Sequence, residues 1–290
     1  MELIDRPRAI MLAETATIGS GIQEYLNELG IPDWETDAES GAEELSEVAG
    51  RSCYLSYGTD LNPNVNRVRE GNEEYLGKSI IDNGHGSVLE HASVTIAFVG
   101  VSRVFTHELV RHRHAAYSQQ SLRFIRLSKL MAWYPESFGR ATILDLHDTL
   151  VKKGILPASG AGKQEWVDSR VEMLRDHFVQ TFEYLEKVQQ TISAELYLDE
   201  LDGGFGIKKK ITSAMRRLAP IGLGTGVICS ANHRAWRHMI AMRTAAGAEE
   251  EIRLVFQEVA LQLADHYPAI YQDMWMDQND GSVYFTGGRI

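Results

Sequence analysis

The side chains best suited to chemistry lie in one stretch, Arg111-His112-Arg113-His114-Ala115-Ala116-Tyr117-Ser118-Gln119-Gln120-Ser121-Leu122-Arg123. Residues 103–126 hold five arginines (103, 111, 113, 123, 126) and three histidines (107, 112, 114) against one acid, Glu108, in a chain of net charge -11. So much like charge in one segment is unfavourable unless an anion joins it. Arginine's planar fork matches a phosphate with two hydrogen bonds. The hydroxyls of Ser118 and Ser121 and the amides of Gln119 and Gln120 add neutral donors and acceptors. Together they suit a phosphorylated small molecule that also presents ring edges.

A second group of the same character lies near the C-terminus. Asn232 and Arg243 are 11 residues apart, about three helical turns, and Arg234 and His238 are four apart. A helix carrying them is either a solvent-edge helix or, the favoured reading, a second wall of the anion site, with Arg237 solvated. His85, Ser87, Glu90 and His91 precede a predicted strand; they are either a capping arrangement with a His–Glu pair or ligand-facing groups. Glu108, three residues before Arg111, either orients that arginine or meets the ligand itself. The His112-x-His114 pair admits a metal reading, but neighbouring arginines and the lack of a carboxylate cluster argue against it. No nucleophile motif is present, and Cys53 and Cys229 read as core thiols.

These residues need elements to position them. Residues 8–13 read as a strand, 42–53 and 71–83 as helices, and 92–101 as a strand. Ser102 is a candidate N-cap for a helix running towards Arg111, which would place Arg103, His107 and Arg111 on one face. A loop with a short helix near 142–152 leads to a long amphipathic helix from Glu165 to about Leu198. A short basic helix spans Ile207–Leu218 and stops at Pro220. Gly222-Leu-Gly-Thr-Gly reads as a loose turn and lacks the Lys-Ser/Thr of a P-loop. A strand from Val227 turns into a helix around Asn232, and 252–263 is a last amphipathic helix. The tail after Tyr271 shows no pattern. Without a clean βαβ rhythm the class is α+β, a central sheet flanked by long helices, in a single domain over 1–290 with a loop and helix insertion around 135–200.

Composition narrows the field. Hydrophobic residues are 44% and charged residues 24%, as in a soluble globular protein. No apolar run is long enough to span a bilayer, and no membrane partner is expected. The acidic balance argues against nucleic-acid binding. An acidic N-terminus and two cysteines fit a cytoplasmic setting.

Arg111-His112-Arg113, seven residues, then Ser121 and Arg123 resembles the signature of the flavin-dependent thymidylate synthases. Gly-His-Gly-Ser-Val-Leu-Glu-His before it, Thr-His-Glu-Leu-Val leading into it, and Asn-His-Arg-Ala-Trp-Arg-His-Met-Ile-Ala-Met-Arg near the C-terminus extend the resemblance. It implies FAD reduced by NADPH, a one-carbon unit from methylenetetrahydrofolate, and C5-methylation of a uridylate in a homotetramer. It implies that Arg111, Gln119, Gln120, Ser121 and Arg123 contact the nucleotide and that Arg216 reaches a phosphate from a neighbouring subunit; Glu108 is counted with the substrate-binding residues. Arg243 would hold the pyrimidine and stabilise the charge developing at C5. His85, Ser87, Glu90, His112, Arg113, His114, Ser118, Asn232, Arg234 and His238 would line the flavin and folate sites.

Three positions depart from the family pattern. Ala219 stands where leucine is usual, Gly247 where histidine is frequent, and Gly86 where a larger residue is common. All remove bulk, so UMP is a candidate substrate beside dUMP. The alternatives are a nucleotide-modifying homologue of secondary metabolism and a non-catalytic nucleotide-binding protein.

Overall fold

The computed structural model describes residues 2–69, 71–122, 131–157, 162–201 and 206–287. In chain order the first elements are β1 (Glu2–Ile4), β2 (Arg8–Glu14), α1 (Gly19–Glu28), α2 (Gly41–Tyr54) and α3 (Asn72–Leu76). Then come β3 (Ser93–Ser102), α4 (Arg103–Leu109), β4 (Ala115–Gln119) and β5 (Met131–Trp133). The helices α5 (Arg140–Lys152), α6 (Lys163–Glu195) and α7 (Ile207–Met215) follow. The chain closes with β6 (Gly224–Asn232), α8 (His233–Thr244), α9 (Glu250–His266), α10 (Pro268–Tyr271), β7 (Met274–Met276) and β8 (Val283–Phe285). The strand order β2-β3-β6-β4 makes a four-stranded sheet among α-helices, the α+β class expected. No helix among the described residues is long and apolar enough to cross a membrane.

The chain divides into two compact units. The first comprises Met1–Arg8, Val99–Glu108 and Gln119–Val227; the second comprises Ala9–Phe98, Leu109–Ser118 and Ile228–Ile290. In the first, β1 pairs in parallel with β5, and Ala132, Phe182 and Leu223 are buried with Leu3, Phe178 and Ala219 packed against them. Helix α6 follows the predicted periodicity, although only Val167 and Phe182 along it are fully buried. Gly100 interrupts β3 with φ +74, and a Cβ there would meet Ile4 Cδ1 at 2.3 Å. Glycine is the residue that takes this conformation without strain.

In the second unit α8 buries Trp236, Met239 and Ile240, and α9 buries Val255, Phe256, Val259 and Leu263. Trp236 Nε1 donates to the Val94 carbonyl at 3.2 Å, tying α8 to β3. Helix α2 has a mixed buried face. Beside Ala42 and Val48 it buries Glu47 and Arg51, whose Nε donates to Glu47 Oε1 at 2.7 Å. Cys53 lies exposed, against the expectation of two core thiols. Cys229 is buried, and burial pushes its thiol up to about 12.

Arg237 overturns the reading of a solvated side chain. It is 2% exposed, and its two terminal nitrogens donate to the Asp273 carboxylate at 2.7 and 2.8 Å. The tail after Tyr271 is thus a structural element: β7 and β8 pair antiparallel, and Asp273, just before β7, neutralises α8 from within.

His233, the first residue of α8, is fully buried with Nδ1 3.2 Å from the Tyr271 hydroxyl and its ring edge-on to Tyr267. Burial, then the charge of Arg237, pushes its pKa from 6.5 down to about 3. The unfolded chain therefore takes up a proton below pH 6.5 that the folded chain refuses until about pH 3. Stability is expected to be full above pH 6.5 and to drain away as pH falls towards 3. Melting temperatures across that range, for the wild type and His233→Gln, check this; equal slopes would remove His233 as the cause.

Candidate functional site

The signature segment begins where α4 ends. Ser102 caps that helix as expected, its Oγ accepting from the Phe105 N–H at 3.1 Å. The helix stops at Leu109, short of Arg111. The Tyr117 hydroxyl lies 3.1 Å from the Leu109 carbonyl and 2.8 Å from that of His112, satisfying carbonyls that a continuing helix would have used. Burial pushes this phenol up, so it remains a donor. Arg103, His107 and Arg111 therefore do not share one helical face, and Glu108 and Arg111 are not an intrahelical pair.

A cavity of about 790 Å³ opens in the second unit. The turn after α4 supplies Arg111, His112, Arg113 and His114. Helix α8 and its cap supply Asn232, Arg234, His238 and Arg243, with Met239 and Met242 as apolar lining. Asn232 caps α8, its Oδ1 accepting from the Ala235 N–H at 2.9 Å, so the strand-to-helix switch falls where the sequence placed it. The Arg243 Nε–H donates to His112 Nε2 at 2.8 Å, which leaves the neutral ring's proton on Nδ1. His238 meets His112 edge-on with centroids 5.9 Å apart. Glu90 is the sole acid of the lining and pairs with Arg234. Four arginines and three histidines around one paired carboxylate form an anion-binding set.

The first unit holds a smaller pocket of about 480 Å³. Here Gln119, Gln120 and Ser121 meet Arg103, Arg216, Arg217 and Ala219. Arg216 sits on the turn after α7, which Pro220 closes. The Nε of Arg103 is buried with no partner among the described residues. Burial, then the charge of Arg216, lowers the Arg103 pKa. No acid among the described residues lines this pocket. A buried donor without a partner, beside a second guanidinium, is costly and could donate to an anion's oxygen.

The predicted residues fall out as follows. Arg111 joins His112–His114 and the α8 group, while Gln119, Gln120 and Ser121 join Arg216. Glu108, His85, Ser87 and Ser118 lie outside both linings. The His85 ring instead stacks on Tyr54 at 6.0 Å. Arg123 lies outside the described residues. Of the three bulk-removing positions, Ala219 lines the smaller pocket; Gly247 faces open space and Gly86 is buried in a short turn. Arg103 and Arg217 are site residues that the sequence reading did not assign. The arginine count of the segment was the available signal for Arg103, and the Arg216-Arg217 doublet for its neighbour.

The fold is of the α+β class, with two pockets rich in arginine among the described residues. The family described as thymidylate synthase complementing protein matches residues 36–269. The chain is 36% identical over 241 residues to the flavin-dependent thymidylate synthase of Mycobacteroides abscessus, covering 83% of this chain and 82% of that one. It is 34% identical over 266 residues to that of Mycobacterium tuberculosis strain H37Rv, covering 90% and 92%. Among solved structures, a UMP/dUMP methylase, PolB from Streptomyces cacaoi, aligns with TM-score 0.57 and 15% identity over 94% of this chain and 95% of that one, a likeness of fold. The chain belongs to the flavin-dependent thymidylate synthase family.

Proposed function

We propose that the protein methylates C5 of a uridylate, dUMP by preference, with FAD as cofactor and NADPH and methylenetetrahydrofolate as co-substrates. The observation that carries the nucleotide reading is the buried Nε of Arg103, without a partner among the described residues, beside Arg216 in a pocket with Ser121 and Gln119 whose described lining holds no acid. A phosphate would satisfy both guanidiniums and relieve their repulsion.

The larger cavity suits FAD in donor chemistry. Its arginines and histidines suit a pyrophosphate, and Met239 and Met242 suit the face of a ring. Arg111, Arg113 and Arg234 would hold the cofactor's charge, with Glu90 keeping Arg234 in place. The bound, reduced cofactor would supply the hydride for completing the methyl group. Arg243, held by His112, would stabilise negative charge as C5 becomes nucleophilic. No cysteine nucleophile is required, in keeping with the buried Cys229 thiol and the exposed Cys53. The assembly is a homotetramer in the cytoplasm, with small molecules rather than nucleic acid as partners.

The purified protein is expected to be yellow and to bleach under NADPH. A colourless protein that also refuses added FAD would favour a nucleotide-binding module without chemistry. One observation favours a second substrate. Ala219, smaller than the family's usual leucine, lines the pocket of Gln119, Ser121 and Arg216. UMP is therefore expected to turn over beside dUMP, and restoring bulk with Ala219→Leu should lower UMP turnover more than dUMP turnover. Equal effects on both would sever Ala219 from substrate choice.

A further inference from the structure

Gly226 belongs to the Gly-rich run read from sequence as a turn, but the structure begins β6 at Gly224. There it meets Gln120, just past the end of β4. The Gln120 N–H donates to the Gly226 carbonyl at 2.9 Å. The return bond is unusual. In a sheet ladder the bonds run between backbone groups. Here the Gly226 N–H donates to the Gln120 side chain, Oε1, at 2.9 Å. The side-chain amide stands in for a ladder carbonyl. Gln120's own carbonyl is thereby released, and it accepts from Arg103 Nη2 at 3.0 Å.

We propose that Gln120 is a positioning residue: by closing the ladder with its side chain it turns its backbone carbonyl towards Arg103 and fixes that guanidinium for the substrate's phosphate. The resemblance implied direct contact with the nucleotide; the geometry gives Gln120 a role through Arg103. This inference rests on the nucleotide reading of the pocket. Gly226 is the complementary half of the device. A Cβ there would lie 2.9 Å from Gln120 Nε2 and 3.0 Å from its Cδ. Those atoms are the far end of a flexible, exposed side chain, so alanine at 226 displaces the amide without breaking the backbone.

The test compares binding of dUMP and of deoxyribose 5-phosphate to the FAD-loaded protein by calorimetry, in the wild type, Gln120→Ala, Gly226→Ala and the double variant. Each single change is expected to weaken both ligands by the same factor, about tenfold, as the loss of one charge-assisted hydrogen bond implies. The double variant should be no weaker than either single one, because both changes remove the same staple. A loss confined to dUMP would mean that Gln120 touches the base, and additive losses would mean two separate roles; either overturns the proposal. Unchanged binding by both single variants overturns it too, while leaving the nucleotide reading standing. A wild type that binds neither ligand removes that reading and the proposal with it.

Discussion

Arg243→Ala is expected to lower turnover by about two to three orders of magnitude, the usual cost of removing one preorganised stabiliser of developing charge. The side chain extends from the last turn of α8, and its Nε is committed to His112 at 2.8 Å. That bond fixes the plane of the guanidinium before any substrate arrives, so its reorganisation cost at the transition state is small. Lysine would keep the charge and lose the fork, and Arg243→Lys should recover only part of the rate. The loss should fall on kcat more than on KM, because the interaction strengthens as C5 gains charge. Single-turnover oxidation of the reduced flavin in the presence of dUMP reads the step directly. An Arg243→Ala enzyme with near wild-type turnover would remove this residue from the chemistry.

The largest effect on stability is expected from Asp273→Ala. Arg237 and Asp273 are 2% and 1% exposed and share two hydrogen bonds. The Arg237 guanidinium also donates to the Ile270 carbonyl at 2.7 Å and lies 4.1 Å from the Phe285 ring centre. Asp273 in turn accepts the Gly287 N–H at 2.9 Å. Removing the carboxylate leaves a buried, uncompensated cation, which costs about 3–5 kcal/mol. For a chain of this size that is roughly a 10 °C fall in melting temperature. Thermal unfolding followed by circular dichroism checks it; an unchanged midpoint would mean that the site opens to water or that the pair contributes nothing. Because α8 carries Arg234, His238 and Arg243, loosened flavin binding should accompany the loss.

Much of this architecture was legible from local pattern. The 3.6-residue rhythm marks α6 and α9, the Ser102 hydroxyl marks the start of α4, and Asn232 marks the change from β6 to α8. Each is a signal written within a few residues. What escaped was written across the chain. Arg237 looked solvated because Asp273, its partner, lies 36 residues on, just before two three-residue strands with no detectable period. The end of α4 was misplaced because the hydroxyl that takes its last carbonyl belongs to Tyr117, eight residues from Leu109. Helix α2 hides a charged pair, Glu47 and Arg51, beside its buried Ala42 and Val48, which periodicity of hydrophobic residues cannot register. The site followed the same division. Spacing alone gave an anion trap with a second wall on α8, and the second unit's cavity joins Arg111–His114 to that wall. Arg103's place beside Gln120 and Arg216 depends on how β3, β6 and the segment after β4 meet, which no local pattern shows. Flavin and folate came from resemblance, because no spacing of arginines specifies a ring system.

The most direct measurement is of the product. The purified protein is incubated with FAD, NADPH, methylenetetrahydrofolate and dUMP under anaerobic conditions, and the nucleotide is analysed by mass spectrometry. Thymidylate formed in step with NADPH consumed is the expected result. Flavin that bleaches while dUMP returns unchanged would contradict a C5-methylase.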